Sequence, residues 1–244
     1  MLTFRTTEYG GLQCTVVEDA SAPPTAAAVF LHGFGATGED LVPLAEELAA
    51  RMPESSSSVR FVFPAAPLAP PEFRDFGGRA WWPLNMAALQ NAMLKRDFRD
   101  LRRETPPQLP AARQLLMTLL DDLRAETGLA MNRIVLGGFS QGSMLATDVA
   151  LRLDEAPAAL VVWSGTLLCE DEWRALAPRR QGLPVIQSHG RQDPILPFEA
   201  AGWLRDMLTE AGADVEFHAF PGPHTIPPVA INATAKLLEM IAGA

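Results

Sequence analysis

Short apolar runs rich in β-branched and aromatic residues recur along this chain, at 14–17, 27–31, 59–63, 133–136, 159–163, 184–188 and 215–220. Between them lie stretches with helical spacing, at 39–50, 84–104, 111–126, 141–153, 198–210 and 229–241. Strands that alternate with helices of ten to twenty residues predict an α/β fold, a mostly parallel sheet with helices on both faces. Its crossover connections should be right-handed. No internal repeat is evident, and the loop Glu54-Ser55-Ser56-Ser57-Ser58 is too brief to link two domains. The pattern therefore predicts one domain over 1–244.

In open parallel sheets, sites lie beyond the carboxyl ends of the strands. The residues that follow each apolar run are thus the ones to inspect. After 27–31 comes His32-Gly33-Phe34-Gly35, and after 133–136 comes Gly137-Gly138-Phe139-Ser140-Gln141-Gly142. After 184–188 comes His189-Gly190-Arg191-Gln192-Asp193, and after 215–220 comes Pro221-Gly222-Pro223-His224. Candidate chemistry collects at one edge of the sheet.

Gly138-Phe139-Ser140-Gln141-Gly142 fits the G-x-S-x-G turn between a strand and a helix. Such a turn must be tight and strained to lift a serine hydroxyl above the sheet, and small residues two before and two after let strand and helix approach. The plain alternative is a glycine-rich turn with an N-capping serine. A serine alone is inert: it needs a base, and the base needs a group that orients it. In this arrangement the chain order is serine, acid, histidine. His218 lies inside the last apolar run and reads as a packed strand residue. His189 precedes the candidate acid, the wrong order for the base. His224 sits in a Gly/Pro loop past the last strand, from which it can reach back over the turn. For the acid, Asp193 follows the strand at 184–188 and is fixed by Pro194. Asp154 and Glu155 end a helix, and Glu170, Asp171 and Glu172 read as a solvated helix start.

Acyl transfer also needs donors aimed at the developing oxyanion. The backbone N–H of Gln141, directly after the serine, is one candidate, and the N–H of Phe34 in the loop after the strand at 27–31 is the other. That loop also spells Gly33-Phe34-Gly35-Ala36-Thr37-Gly38, a literal dinucleotide-binding fingerprint. The fingerprint wants an acid at the end of the next strand, and here that strand runs into Pro64-Ala65-Ala66-Pro67. A nicotinamide site is the weaker reading.

Composition narrows the partners. With 244 residues the chain can bury a sizeable core. A formal net charge of −9 disfavours nucleic acid and anionic lipid. Cys14 and Cys169 make no disulfide framework, and no Cys/His cluster has metal-ligand spacing. The first residues lack an apolar leader, and the longest apolar run is too short for a membrane span. A cytoplasmic location is the expectation, with no stable membrane association; a homodimer stays open.

Five pieces together resemble the phospholipase/carboxylesterase branch of the α/β-hydrolases, which includes the acyl-protein thioesterases. They are Phe30-Leu31-His32-Gly33-Phe34-Gly35, Gly78-Arg79-Ala80-Trp81-Trp82, the run 132–142 ending in the serine turn, His189-Gly190-Arg191-Gln192-Asp193-Pro194, and Gly222-Pro223-His224. The likeness spreads over most of the chain from about residue 27. It implies the α/β-hydrolase fold and hydrolysis of carboxyl esters, sometimes thioesters, with no metal and no organic cofactor. There are two departures. Ser143 stands where the family usually has a third glycine. The stretch 84–103 looks longer than its counterpart; with Met86, Leu89 and Met93 on one face it reads either as a cap over the acyl pocket or as an ordinary surface helix. Trp82 and Met86 are the candidate substrate-binding residues.

The reading is thus a carboxylesterase for a small-molecule ester of short to medium acyl chain. Ser140 is the nucleophile, His224 the base and Asp193 the orienting acid, with the N–H groups of Phe34 and Gln141 as oxyanion donors. A thioesterase or lysophospholipase on the same machinery is the alternative. A non-catalytic ligand binder that kept the fold is the alternative of another class. A histidine base implies that kcat/KM falls as pH drops through about 6–7.

Overall fold

The computed structural model describes residues 1–84, 89, 91, 94 and 101–243. Eight strands form one sheet: β1 (Leu2–Tyr9), β2 (Leu12–Asp19), β3 (Ala26–Leu31), β4 (Val59–Pro64), β5 (Ile134–Phe139), β6 (Ala159–Trp163), β7 (Pro184–Gly190) and β8 (Asp214–Phe220). Their order is β1-β2-β4-β3-β5-β6-β7-β8; β2 runs antiparallel to both of its neighbours, β1 and β4, and every other neighbouring pair is parallel. The described α-helices are α1 (Pro43–Ala49), α2 (Leu109–Thr127), α3 (Gln141–Arg152), α4 (Glu170–Leu176), α5 (Phe198–Glu210) and α6 (Pro228–Gly243). This is the α/β-hydrolase fold that the resemblance implied. No described helix is long and apolar enough to cross a membrane.

Helices cover both faces, so the central strands are apolar on both sides. In β3, Val29 and Leu31 join a core with Leu116 of α2, Leu145 of α3 and Leu204 of α5. The alternate residues Ala28 and Phe30 join Leu48 of α1 and Leu238 of α6 on the opposite face. All six residues of β3 are buried, which explains why the sequence shows an unbroken apolar run.

The strand β1 has no counterpart among the apolar runs. It is an edge strand with the polar sequence Leu2-Thr3-Phe4-Arg5-Thr6-Thr7-Glu8-Tyr9 and only Tyr9 fully buried. Gly10 and Gly11, with φ of 58° and 74°, turn it back onto β2, a two-residue hairpin that requires positive φ at both positions. Arg5 of β1 pairs with Glu18 of β2 and with Glu126 of α2. Ion pairs therefore hold β1 where a strand packed on both faces would use side-chain burial.

The chain leaves β3 for β4 on one side and later returns to β5 on the other. That reversal is a topological switch point, where the loops after β3 and β5 diverge and leave a crevice. The β3–β5 register pairs Leu31 with Gly138, so the two strands end level. The His32–Gly35 loop and the serine turn consequently emerge side by side.

The candidate cap at 84–103 falls mostly outside the described residues, and Met86 and Met93 lie outside them altogether. Its described C-terminal end is a 3₁₀ turn, Leu101–Arg103.

Candidate active site

Ser140 sits between β5 and α3 with φ 53° and ψ −121°, a conformation a non-glycine residue rarely holds, at a cost of about 1–3 kcal/mol. The surroundings fix it. Its N–H donates to the Trp163 carbonyl (2.8 Å), and its own carbonyl accepts from the N–H groups of Ser143 (3.0 Å) and Met144 (3.2 Å). A Cβ on Gly138 would lie 2.4 Å from the Leu31 carbonyl oxygen, and one on Gly142 would lie 2.2 Å from the same atom. Both contacts are with backbone, so only glycine lets β3, β5 and α3 converge here. Ser143, the departure from the family pattern, is buried, and its hydroxyl donates to the Ser140 carbonyl (2.7 Å).

The loop after β3 runs beside the serine: a Cβ on Gly33 would meet the Ser140 Cβ at 3.4 Å. His32 controls that loop. Its Nε2 accepts from the Ala66 N–H (3.0 Å), so the proton is on Nδ1, which donates to the Gly33 carbonyl (2.8 Å). Burial pushes this imidazole below the ordinary histidine range, which keeps it neutral. Because a trans peptide points its C=O and N–H in opposite directions, holding the Gly33 carbonyl toward His32 turns the Phe34 N–H away from it. Among the described residues no acceptor takes that N–H. The N–H of Gln141 is at the first position of α3, where no intrahelical acceptor exists.

The Gln141 side chain has a separate task. Its Oε1 accepts from the Trp81 N–H (2.9 Å) and its Nε2 donates to the Trp82 carbonyl (2.8 Å). The serine turn is thereby tied to the segment that carries Trp82. After the fingerprint at 33–38, α1 begins only at Pro43, and Gly38 packs against Ala65, so no helix N-terminus meets these glycines.

Asp193 and His224 come together from loops after β7 and β8. His224 Nδ1 lies 2.6 Å from Asp193 Oδ2, and Asp193 Oδ1 accepts from the N–H groups of Ile195 (2.8 Å) and Leu196 (2.9 Å). Burial alone would raise the Asp193 carboxyl, but hydrogen bonds from His189 and His224 outweigh it and hold the group well below the usual carboxylate range. The Phe139 ring packs against His224, with centroids 4.7 Å apart.

Ser140 and His224 line one pocket of about 430 Å³. Phe34, Phe73, Trp82, Met144, Leu167 and Leu196 give it an apolar wall, and Leu89 also faces it. Trp82 is among the residues that line it. Asp40 and Glu104 are the charged residues among its described lining.

The sequence reading missed or misjudged three residues. Ser164, at the end of β6, has φ 54° and donates its hydroxyl to the carbonyl of Thr225, next to His224 (3.1 Å). The rule of inspecting residues just past each strand would have found it. Glu170 is not part of a solvated helix start: it is buried and pairs with Arg102 (2.8 Å) and Arg174 (3.1 Å). His189, set aside as a base for its place in chain order, is fully buried beside Asp193.

Known proteins resemble this chain in sequence and in fold. The chain is 30% identical over 224 residues to acyl-protein thioesterase 1 of Mycosarcoma maydis, covering 89% of this chain and 92% of that one. It is 28% identical over 207 residues to acyl-protein thioesterase 1 of Neurospora crassa, covering 83% and 81%. Among solved structures, esterase PE8 superposes with a TM-score of 0.76 at 29% identity, covering 93% of this chain and 97% of that one. A carboxylesterase from Mesorhizobium loti superposes with a TM-score of 0.72 at 14% identity over 97% and 98%, a likeness of fold alone. The profile of the phospholipase/carboxylesterase family matches residues 12–242, and with nearly the whole chain inside that match the protein belongs to this family of hydrolases.

Proposed function

We propose that this chain is a serine esterase that cleaves carboxyl esters of short to medium acyl chain through an acyl-enzyme intermediate. The observation that carries the reading is the strained Ser140 facing the same pocket as His224, whose Nδ1 is 2.6 Å from the buried Asp193 carboxylate. In this mechanism His224 Nε2 takes the hydroxyl proton as Ser140 Oγ attacks the ester carbonyl. The N–H groups of Phe34 and Gln141 receive the negative charge on the carbonyl oxygen. His224 then passes the proton to the leaving alcohol. Water, deprotonated by the same ring, attacks the acyl-serine and frees the acid. Asp193 holds the ring in the tautomer that leaves Nε2 open to the serine and offsets the charge of the imidazolium.

A fluorophosphonate probe should label the folded protein once, at Ser140, and Ser140→Ala should abolish labelling together with ester hydrolysis. Labelling at another residue, or none, removes the nucleophile from this reading.

The apolar wall supports an acyl chain as the occupant of the pocket. The same groups would cleave a thioester, and the acyl-protein thioesterase name carried by the relatives favours that second reading. A panel of soluble esters and thioesters of graded chain length decides between leaving groups. The acyl-length part fails if kcat/KM is higher on emulsified long-chain triglyceride than on a soluble butyrate ester.

A further inference from the structure

His189 is the last side chain of β7 before Gly190, and none of its surface reaches solvent. Its Nε2 is 3.0 Å from the Leu196 carbonyl oxygen and 3.2 Å from Asp193 Oδ2, the oxygen that also takes His224 Nδ1. A carbonyl only accepts, so the proton is on Nε2, donated to the Leu196 carbonyl with Asp193 Oδ2 at 3.2 Å beside it. Nδ1 is buried and has no hydrogen-bond partner among the described residues. A proton on Nδ1 would be a buried donor with no partner, so the geometry fits the Nε2–H tautomer.

We infer that His189 is a positioning residue that acts on His224 through Asp193: its Nε2–H, 3.2 Å from Asp193 Oδ2, offsets part of the charge on that oxygen and so limits how strongly the carboxylate stabilises the His224 imidazolium. The inference rests on the proposed triad. A carboxylate oxygen that answers to His224 alone would hold that ring in its protonated form to a higher pH, where it cannot accept the serine proton. With His189 in place, the base is free at lower pH. The same N–H holds the Leu196 carbonyl, and the Leu196 N–H holds Asp193 Oδ1, so the ring also closes the 193–196 turn.

The other charged neighbours are accounted for. On β8 the register partner of His189 is Ala219, while His218 and Glu216 face each other at 2.9 Å. From α5 the Phe198 ring packs against His189, and the Arg191 guanidinium lies over that ring. Glu199 follows Phe198 on the same helix. Asp40 and Glu104 face the pocket that holds His224. None of these is replaced in the variants below, so their effect on His224 is common to all of them.

The test is the pH dependence of kcat/KM on a soluble butyrate ester for the wild type, His189→Leu and His189→Gln. In the Leu variant the acid limb should move up by about 0.5 unit, about a threefold loss of rate below the limb, with KM little changed. Glutamine has an N–H that can reach the same oxygens and should return the limb to the wild-type position. A limb that stays in place in His189→Leu, or one equally displaced in His189→Gln, overturns the inference and leaves the ring as packing alone. Nitrogen-15 spectra of the wild-type histidines need no variant. They should show His189 as the neutral Nε2–H tautomer across the acid limb, and a protonated or Nδ1–H ring overturns the inference. Fluorophosphonate labelling of the same wild-type preparation keeps the two readings apart, since its absence strikes the triad itself.

Discussion

Replacing Asp193 with asparagine should lower kcat by about 10³–10⁴ and leave KM little changed. Asn keeps the size of the side chain and can hold the turn, but its NH₂ or its oxygen must face His224 Nδ1 without a negative charge. The ring loses the partner that selects its tautomer, and the imidazolium formed during proton transfer loses its counter-charge. Four decades correspond to about 5 kcal/mol of transition-state stabilisation. The Asp193 carboxyl lies below the usual carboxylate range in the folded protein, so it stays ionised as pH falls through that range and is neutralised only in stronger acid. Any loss of rate between about pH 5 and 8 must then come from another group. Asp171→Asn is the control, an exposed carboxylate at the start of α4, and it should cost less than about tenfold. If that change is the crippling one and Asp193→Asn is mild, the acid comes from the loop after β6.

The second large effect is on stability. Asp148, in the helix that follows the serine turn, is fully buried and is held from three directions. Its Oδ1 accepts from Trp173 Nε1 (2.9 Å) and Arg152 Nε (3.1 Å), and its Oδ2 from Arg113 Nε (2.5 Å). Asp148→Ala removes the acceptor and leaves two mostly buried guanidinium groups and an indole N–H without it. Loss of one side of a buried charge network costs about 3–5 kcal/mol. The measurement is the urea midpoint, with the slope checked for constancy. A loss below about 1 kcal/mol would show that water reaches Arg113 and Arg152 easily and that the network contributes little. The same helix packs on β5 and α2 and starts directly after Ser140, so loosening it also disturbs the serine turn.

Much of this site was legible before any coordinate. The apolar runs mark seven of the eight strands; β3 and β6, covered by helices on both faces, are apolar and buried at every position. Inspecting the residue types just past those runs led to Ser140, Asp193 and His224, and the structure brings Asp193 to His224 and sets His224 in the pocket with Ser140. The glycines flanking the serine were readable as well, because the close approach of three backbones admits no Cβ.

The rest depended on contacts between residues distant in the chain. The strand β1 carries no apolar run because it is an edge strand held by Arg5, Glu18 and Glu126; the Gly10-Gly11 pair was its one local sign. Glu170 reads as a surface acid from its neighbours; it is buried, with Arg174 one turn on and Arg102, 68 positions earlier in the chain, pairing with it. The sequence by itself determined seven of the eight strands, the strained turn and the chain order of Ser140, Asp193 and His224, since periodicity and turn geometry are local properties. Tertiary structure alone decided which nitrogen of His32 carries a proton, that Ser164 reaches the His224 loop and that His189 lies against Asp193, because a hydrogen bond is fixed by distance in space and not by spacing in the chain.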